Sequence, residues 1–166
     1  MATLQYRVPA FAWLDGWYTA SVQAVDEQTA YIDSRRLELV GSRSGQFNNH
    51  LNLVASMHVL RERWLFSTAN RPTPIYEYAS FAYPSLQADY IDVDDRLDPR
   101  RGAGGSLTLR GGAGGEDFDA RFAQLHMSAQ WFHGFDADSK LILRGEAGHT
   151  FTDNVLDLPP SLRYYA

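Results

Sequence analysis

Apolar and polar residues exchange places at every second position along most of this chain. Between Lys140 and Phe151, Leu141, Leu143, Gly145, Ala147, His149 and Phe151 fall on one side of an extended backbone, and Lys140, Ile142, Arg144, Glu146, Gly148 and Thr150 fall on the other. A period of two belongs to a β-strand, whose successive side chains point to opposite faces. One such strand does not reveal whether its apolar face meets a protein core or lipid, because soluble sheets and membrane barrels both alternate. The number and length of the repeats carry that information.

The pattern recurs in seven further runs. Leu4, Tyr6 and Val8 alternate with Thr3, Gln5 and Arg7, and Tyr18, Ala20, Val22 and Ala24 with Thr19, Ser21 and Gln23. Leu37, Leu39 and Gly41 oppose Arg36, Glu38 and Ser42. Leu51, Leu53, Ala55, Met57 and Val59 oppose Asn52, Ser56 and His58, with Val54 out of step. Tyr78, Ala82, Leu86, Ala88 and Tyr90 share a face against Glu77, Ser85, Gln87 and Asp89, although Phe81 and Tyr83 fall on the polar side. Leu107 and Leu109 against Ser106, Thr108 and Arg110 make a short run, and Ala123, Leu125, Met127, Ala129 and Trp131 against Gln124, His126, Ser128 and Gln130 a long one.

Turn-forming residues separate the runs: Asp15-Gly16, Asp33-Ser34, Ser44-Gly45 through Asn48-Asn49, Pro72 and Pro74, Asp94-Asp95, Pro99 and Gly102, Gly111 to Gly115, and Gly134 to Ser139. No segment keeps apolar residues at helical spacing, and no apolar run is long enough for a membrane helix. The expected fold is an all-β antiparallel meander of about eight strands, with helices short or absent.

Composition narrows the class. The chain has 166 residues, no cysteine and a net charge of -5, which excludes disulfide frameworks and thiolate metal sites. Basic residues pair only briefly, as at Arg35-Arg36 and Arg100-Arg101, so no nucleic-acid partner is expected. Aromatic residues gather near the ends of the runs: Tyr6, Phe11, Trp13, Trp17 and Tyr18; Trp64 and Phe66; Tyr76 and Tyr78; Trp131, Phe132 and Phe135; Tyr164 and Tyr165. Such placement suits the aromatic girdles of a membrane barrel, and it also suits core packing. The stretches Tyr76 to Ile91 and Ala120 to His133 exceed an ordinary soluble strand of about 5–6 residues. They are long enough for the roughly 9–11 that a tilted strand needs to cross a bilayer.

Three segments carry a resemblance. Arg96-Leu97-Asp98-Pro99-Arg100-Arg101-Gly102 precedes a strand, Leu143-Arg144-Gly145-Glu146-Ala147-Gly148 lies within one, and Leu158-Pro159-Pro160-Ser161-Leu162-Arg163-Tyr164-Tyr165-Ala166 follows it. In order and spacing they resemble the barrel of the BamA/TamA family of outer-membrane insertases (the bacterial surface antigen family), closest to the TamA branch, the translocation and assembly module subunit. Weaker matches reach back to Tyr6-Arg7-Val8-Pro9. The residues that carry the motif, in structural roles, are Asp98, Pro99, Arg101, Gly102, Arg144, Gly145, Glu146, Pro159, Pro160 and Arg163.

The resemblance implies that residues 1–166 form roughly half of a sixteen-stranded transmembrane β-barrel, corresponding to its fourth to eleventh strands. It places the parent protein in the outer membrane of a Gram-negative bacterium, with no cofactor. Its implied partners are outer-membrane lipid, the rest of the parent barrel, a periplasmic or inner-membrane assembly partner, and unfolded outer-membrane client proteins. The family's POTRA domains, its Gly-Gly-Asp and Val-Arg-Gly-Tyr loop and a secretory signal are not found in this sequence, so a fragment of an assembly or translocation factor is expected. Arg144 and Glu146 are expected to face the lumen, and Asp98 to Gly102 to form a tight periplasmic turn that registers two long strands.

Other chemistry is less well supported. The five histidines, His50, His58, His126, His133 and His149, show no metal-binding spacing. Asp89, Asp92, Asp94, Asp95 and Asp98 lack the glycine and terminal glutamate of a calcium loop. Gly102 to Gly105 and Gly111 to Gly115 do not precede a helix, as a phosphate-cradling loop requires; they read as a strand start and a flexible hairpin loop. With no serine nucleophile elbow and no cysteine, no enzyme is expected. Two alternatives stay open: a soluble antiparallel β-barrel or sandwich binding module, and a pore or two-partner secretion transporter of the same superfamily.

Overall fold

The computed structural model describes residues 1–28, 32–66, 76–115, 120–136 and 139–163. They form one antiparallel sheet whose eight strands lie side by side in chain order. The strands are β1 (Ala2–Ala10), β2 (Gly16–Gln28), β3 (Ile32–Gln46), β4 (Leu51–Phe66), β5 (Glu77–Val93), β6 (Arg101–Gly115), β7 (Ala120–Gly134) and β8 (Lys140–Thr152). Two 3-10 turns, Val155–Asp157 and Pro160–Leu162, follow β8. The expected all-β meander is what forms, with these two turns the extent of helix among the described residues. β1 and β8 do not pair with each other, so the described sheet is open with two free edges.

The register turns the alternation of single strands into two continuous faces. On the outer face Leu4, Val22, Leu39, Val59 and Ala82 stand in one row across β1 to β5. Leu53, Ala88, Leu107, Met127 and Ala147 make another across β4 to β8. On the inner face Thr19, Ser42, Ser56, Ser85, Arg110, Gln124 and Thr150 form a single polar row across seven strands. Arg110 Nε donates to Gln124 Oε1 at 2.5 Å and Gln124 Nε2 to Thr150 Oγ1 at 3.0 Å, so neighbours in this row satisfy one another.

The core lies on the inner face at one end of the sheet. Leu60 and Trp64 of β4, Ala79, Phe81 and Tyr83 of β5 and Phe122 of β7 cluster with Leu158 and Leu162 from the segment after β8. Full burial of a leucine or phenylalanine side chain contributes about 1.5–3 kcal/mol, enough collectively to hold this segment down. The inner-facing apolar residues that disturb the alternation, Phe81 and Tyr83 above all, are the floor on which it sits.

Several boundaries differ from expectation. Gly111 to Gly115 are the last five residues of β6, not a flexible hairpin loop. Gly112 and Gly114 face inward beneath Tyr83 and Phe81, and a Cβ on either would meet those side chains at 2.6 Å and 2.4 Å. Bare backbone there lets rings from β5 reach across β6 to Phe122, at centroid separations of 5.8 Å from Phe81 and 5.5 Å from Tyr83. Asp33 and Ser34, expected in a turn, lie within β3. Ser34 is buried there and donates to Glu62 Oε1 at 2.7 Å. β4 continues past Val59 to Phe66, because Leu60, Glu62 and Trp64 turn inward to the core and to Ser34 rather than ending the strand. Gly16, Ser44, Gly45, Gly102 and Gly134 likewise belong to strands, with the turns beginning beside them. Pro72, Pro74, Tyr164, Tyr165 and Ala166 lie outside the described residues.

The aromatic residues divide between the faces. Tyr6, Tyr18, Tyr78 and Trp131 are exposed with the outer rows. Trp64 and Phe132 are buried, Trp64 in the inner core, so for these two the alternative of packing rather than a girdle holds.

Candidate functional site

The described polar chemistry concentrates on the inner face and in the turns at the end of the sheet away from the core. Between β5 and β6 the chain turns through residues 94–100. Asp94 Oδ1 accepts the backbone N–H groups of Arg100 at 2.9 Å, Arg101 at 3.0 Å and Asp95 at 3.0 Å, and Asp95 Oδ1 accepts that of Leu97 at 2.8 Å. The Asp94 carboxyl is held below its ordinary value by these backbone N–H groups, those of Arg101 and Arg100 foremost.

Asp98 ties this turn to its neighbour. Lys140 Nζ, at the start of β8, donates to Asp98 Oδ1 at 2.5 Å and reaches the Pro99 carbonyl at 3.4 Å. That hydrogen bond, together with the lysine's charge, lowers the Asp98 pKa. Arg100 crosses in the same direction, Nη1 donating to the Asp136 carbonyl at 2.9 Å. Arg101 and Gly102 open β6, and Gly102 has φ +122°, with a Cβ there falling 2.1 Å from the Asp92 carbonyl oxygen. Only glycine fits that conformation without strain. The connection runs over residues 94–100 with Asp94, a residue outside the motif set, as its hub, and Arg101 and Gly102, expected within a tight turn, instead belong to β6.

Arg144 and Glu146 lie on the inner side of β8, opposite Gln130 and Ser128. Glu146 Oε1 is 2.6 Å from His126 Nε2. Arg144 and Glu146 line an open hollow of about 690 Å³ with Ser106, Ser128 and Gln130. Gly145 faces outward across from Ala129, and a Cβ there would meet nothing within 4 Å. Neither space nor backbone conformation demands glycine at that position.

Pro159, Pro160 and Arg163 hold the segment after β8 in shape. Pro159 is extended and fully buried, and Pro160 starts the 3-10 turn. Arg163 clasps the segment, donating from Nε to the Leu158 carbonyl at 2.7 Å and from Nη2 to the Leu156 carbonyl at 2.9 Å. Ser161 Oγ donates to Glu62 Oε2, and Gln124 Nε2 donates to the Leu162 carbonyl at 2.5 Å. Thus Glu62, 2% exposed, accepts one hydroxyl from the sheet and one from the segment that covers it.

The motif residues therefore occupy three places: the turn and the start of β6 with the brace to β8, β8 itself, with Arg144 and Glu146 on its inner side and Gly145 on its outer, and the segment over the core. Sequence reasoning passed over Glu62 and Gln124, which receive the segment. The available signal was their position on strands where large apolar residues also face inward, marking a stretch of inner wall that is covered. A further group, Glu38, Ser56 and His58, meets on the inner face near Tyr83. Comparison of the sequence with protein-family models and with curated proteins gives no match.

Proposed function

We propose that this chain is a wall of an outer-membrane β-barrel of the BamA/TamA insertase type, roughly half of the sixteen strands, whose parent protein inserts or secretes β-barrel and autotransporter-type proteins. The observation that carries the membrane part is the outer face, whose rows of apolar residues run across β1 to β5 and β4 to β8 and are covered by nothing among the described residues. Leu39, Leu86 and Met127, in three separate strands, are 47%, 58% and 52% exposed. A soluble sheet buries such a face against a second layer. In a bilayer the face needs no cover, and strands of 13 to 17 residues from β2 to β8 exceed the roughly 9–11 that a crossing requires.

Two further features support the reading. The polar inner row suits a wet lumen, where charged and hydroxyl groups are tolerated. The Pro159-Pro160-Ser161 segment turns onto that inner side, as the resemblance implies for the connection that enters the lumen. The free edges of β1 and β8 are the surfaces on which the rest of the barrel pairs, since an unpaired backbone group in lipid costs several kcal/mol.

The test uses the full-length parent reconstituted in liposomes with brominated acyl chains. Trp131, on the outer face, is expected to be quenched, whereas Trp64, 3% exposed in the inner core, is not. Equal quenching of the two overturns the membrane assignment. The assembly role is tested by adding a urea-unfolded β-barrel client to the same liposomes. Folding no faster than in empty liposomes removes that role and leaves the wall assignment standing.

A further inference from the structure

On the inner face a hydroxyl, an imidazole and a carboxylate stand in line. Ser56 Oγ is 2.9 Å from His58 Nε2, and His58 Nδ1 is 2.8 Å from Glu38 Oε1. The same Glu38 oxygen accepts the Tyr83 hydroxyl at 3.0 Å, and the Tyr83 ring stacks on the His58 ring at 4.7 Å with an interplanar angle of 5°. Strand geometry produces this arrangement. Ser56 and His58 are two residues apart on β4 and so share a face, and β3 places Glu38 diagonally across from His58.

The chemistry fixes the direction of the line. An ionised Glu38 only accepts, so Nδ1 of His58 carries the ring proton, and Nε2 presents its lone pair to the Ser56 hydroxyl. That tautomer makes the imidazole a general base toward Ser56, with the carboxylate orienting the ring from behind. Other hydrogen bonds on this face join Ser106 with Ser128 at 2.9 Å, His126 with Glu146 at 2.6 Å, and Arg110 through Gln124 to Thr150. Two further serines, Ser42 and Ser85, stand directly across from Ser56 on β3 and β5, and Ser56 Oγ also lies 3.5 Å from the Ser85 carbonyl oxygen.

We propose that Ser56, His58 and Glu38 form a nucleophilic site that hydrolyses carboxylic esters entering the inner face. Ser56 Oγ bonds to the ester carbonyl carbon while its proton passes to His58 Nε2. The tetrahedral oxyanion collapses, the carbon–oxygen bond to the alcohol breaks, and the alcohol leaves with the proton from His58. Water then attacks the acyl-Ser56 ester with His58 again accepting the proton, which releases the carboxylic acid and restores the serine. One ester and one water give one acid and one alcohol. Glu38 and Tyr83 are positioning residues that hold the imidazole.

A fluorophosphonate probe tests this on the full-length protein folded in detergent micelles, with the fold monitored separately by the heat-dependent gel mobility of an intact barrel. Ser56 Oγ is expected to displace fluoride, giving an adduct on the Ser56 peptide by mass spectrometry. Ser56→Ala abolishes it, and His58→Gln slows it by about a hundredfold, in the range of a lost general base. Glu38→Gln lowers the rate and shifts its pH profile, and Ser106→Ala leaves it unchanged. No adduct on Ser56 in protein that keeps its barrel mobility overturns the proposal, as does an adduct whose rate is the same with His58→Gln. The mobility assay keeps this outcome separate from any failure of the membrane reading.

Discussion

Phe81 on β5 lies directly opposite Gly114 on β6, and a methyl group placed on Gly114 meets Phe81 Cγ at 2.4 Å and the Ser80 carbonyl oxygen at 2.2 Å. The ring uses the space that the missing side chain leaves, and from there it reaches Phe122 across the intervening strand. Gly114→Ala is expected to lower stability by about 1–3 kcal/mol through overpacking. Gly145→Ala, with nothing within 4 Å of its Cβ, should stay within about 0.5 kcal/mol of the parent sequence. Urea titrations of both variants of the folded protein in detergent check the pair. Equal effects contradict the packing account.

The two faces of β6 offer the sharpest test of sidedness. Leu107 belongs to an outer row and Thr108, its neighbour, faces inward opposite Gln87 and His126. In a closed barrel in lipid, Leu107→Arg is expected to cost about 2–4 kcal/mol if it sits near the midplane, and Thr108→Arg far less, because an inner arginine stays hydrated. The same contrast is expected on β8 between Leu143→Arg and Arg144→Ala. Folding titrations into thin-bilayer vesicles measure both contrasts.

The turn between β5 and β6 carries a pH dependence whose sign follows from its hydrogen bonds. The backbone N–H groups of Arg101 and Arg100 lower the Asp94 pKa in the folded chain below the ordinary 3.8. A carboxyl with a depressed folded pKa contributes stability above its unfolded pKa, and that contribution disappears as pH falls through the folded value. Asp98, lowered by the hydrogen bond and charge of Lys140, acts in the same direction. Acidification below 3.8 is therefore expected to destabilise this turn, and Asp94→Asn, which keeps an acceptor oxygen but cannot ionise, should flatten that part of the profile. Amide exchange at Arg100 and Arg101, followed through the acid range in both proteins, checks it.

The strands were legible because their apolar residues keep a period of two, which one buried or lipid-facing side imposes. The ends of strands were less so. Gly111 to Gly115 read as a loop since five residues with almost no side chains carry no alternation, yet backbone pairing to both neighbours needs none, and the rings of Phe81 and Tyr83 supply the missing volume. A turn between β5 and β6 was readable from Asp94-Asp95, Pro99 and Gly102, whereas the role of Asp94 as acceptor for the Arg100 and Arg101 amides was not, because an aspartate that caps a turn looks like any exposed aspartate. Ser56 and His58 share a face by their spacing of two, but Glu38 joins them only through the register of β3 and β4, and no spacing along the chain announces a contact between strands.

The segment over the inner core gives the last prediction, because it covers the sheet without adding a strand to it. Leu158 is fully buried, and Trp64 beside it is 3% exposed. Removing most of a fully buried leucine costs about 2–5 kcal/mol. The rest of the segment is held by the buried Pro159 and Leu162, the Ser161 hydroxyl on Glu62 and the Gln124 amide on the Leu162 carbonyl. A loss of that size weakens the docking, so Leu158→Ala is expected to loosen the segment while the strand ladder, whose pairing runs between the strands alone, persists. In a variant with Trp64 as the sole tryptophan, the emission is expected to shift to longer wavelength and become accessible to iodide, with far-UV circular dichroism unchanged. Emission that stays blue places the cover of Trp64 in the sheet itself rather than in Leu158, and loss of the circular dichroism signal makes the segment part of the sheet's own stability.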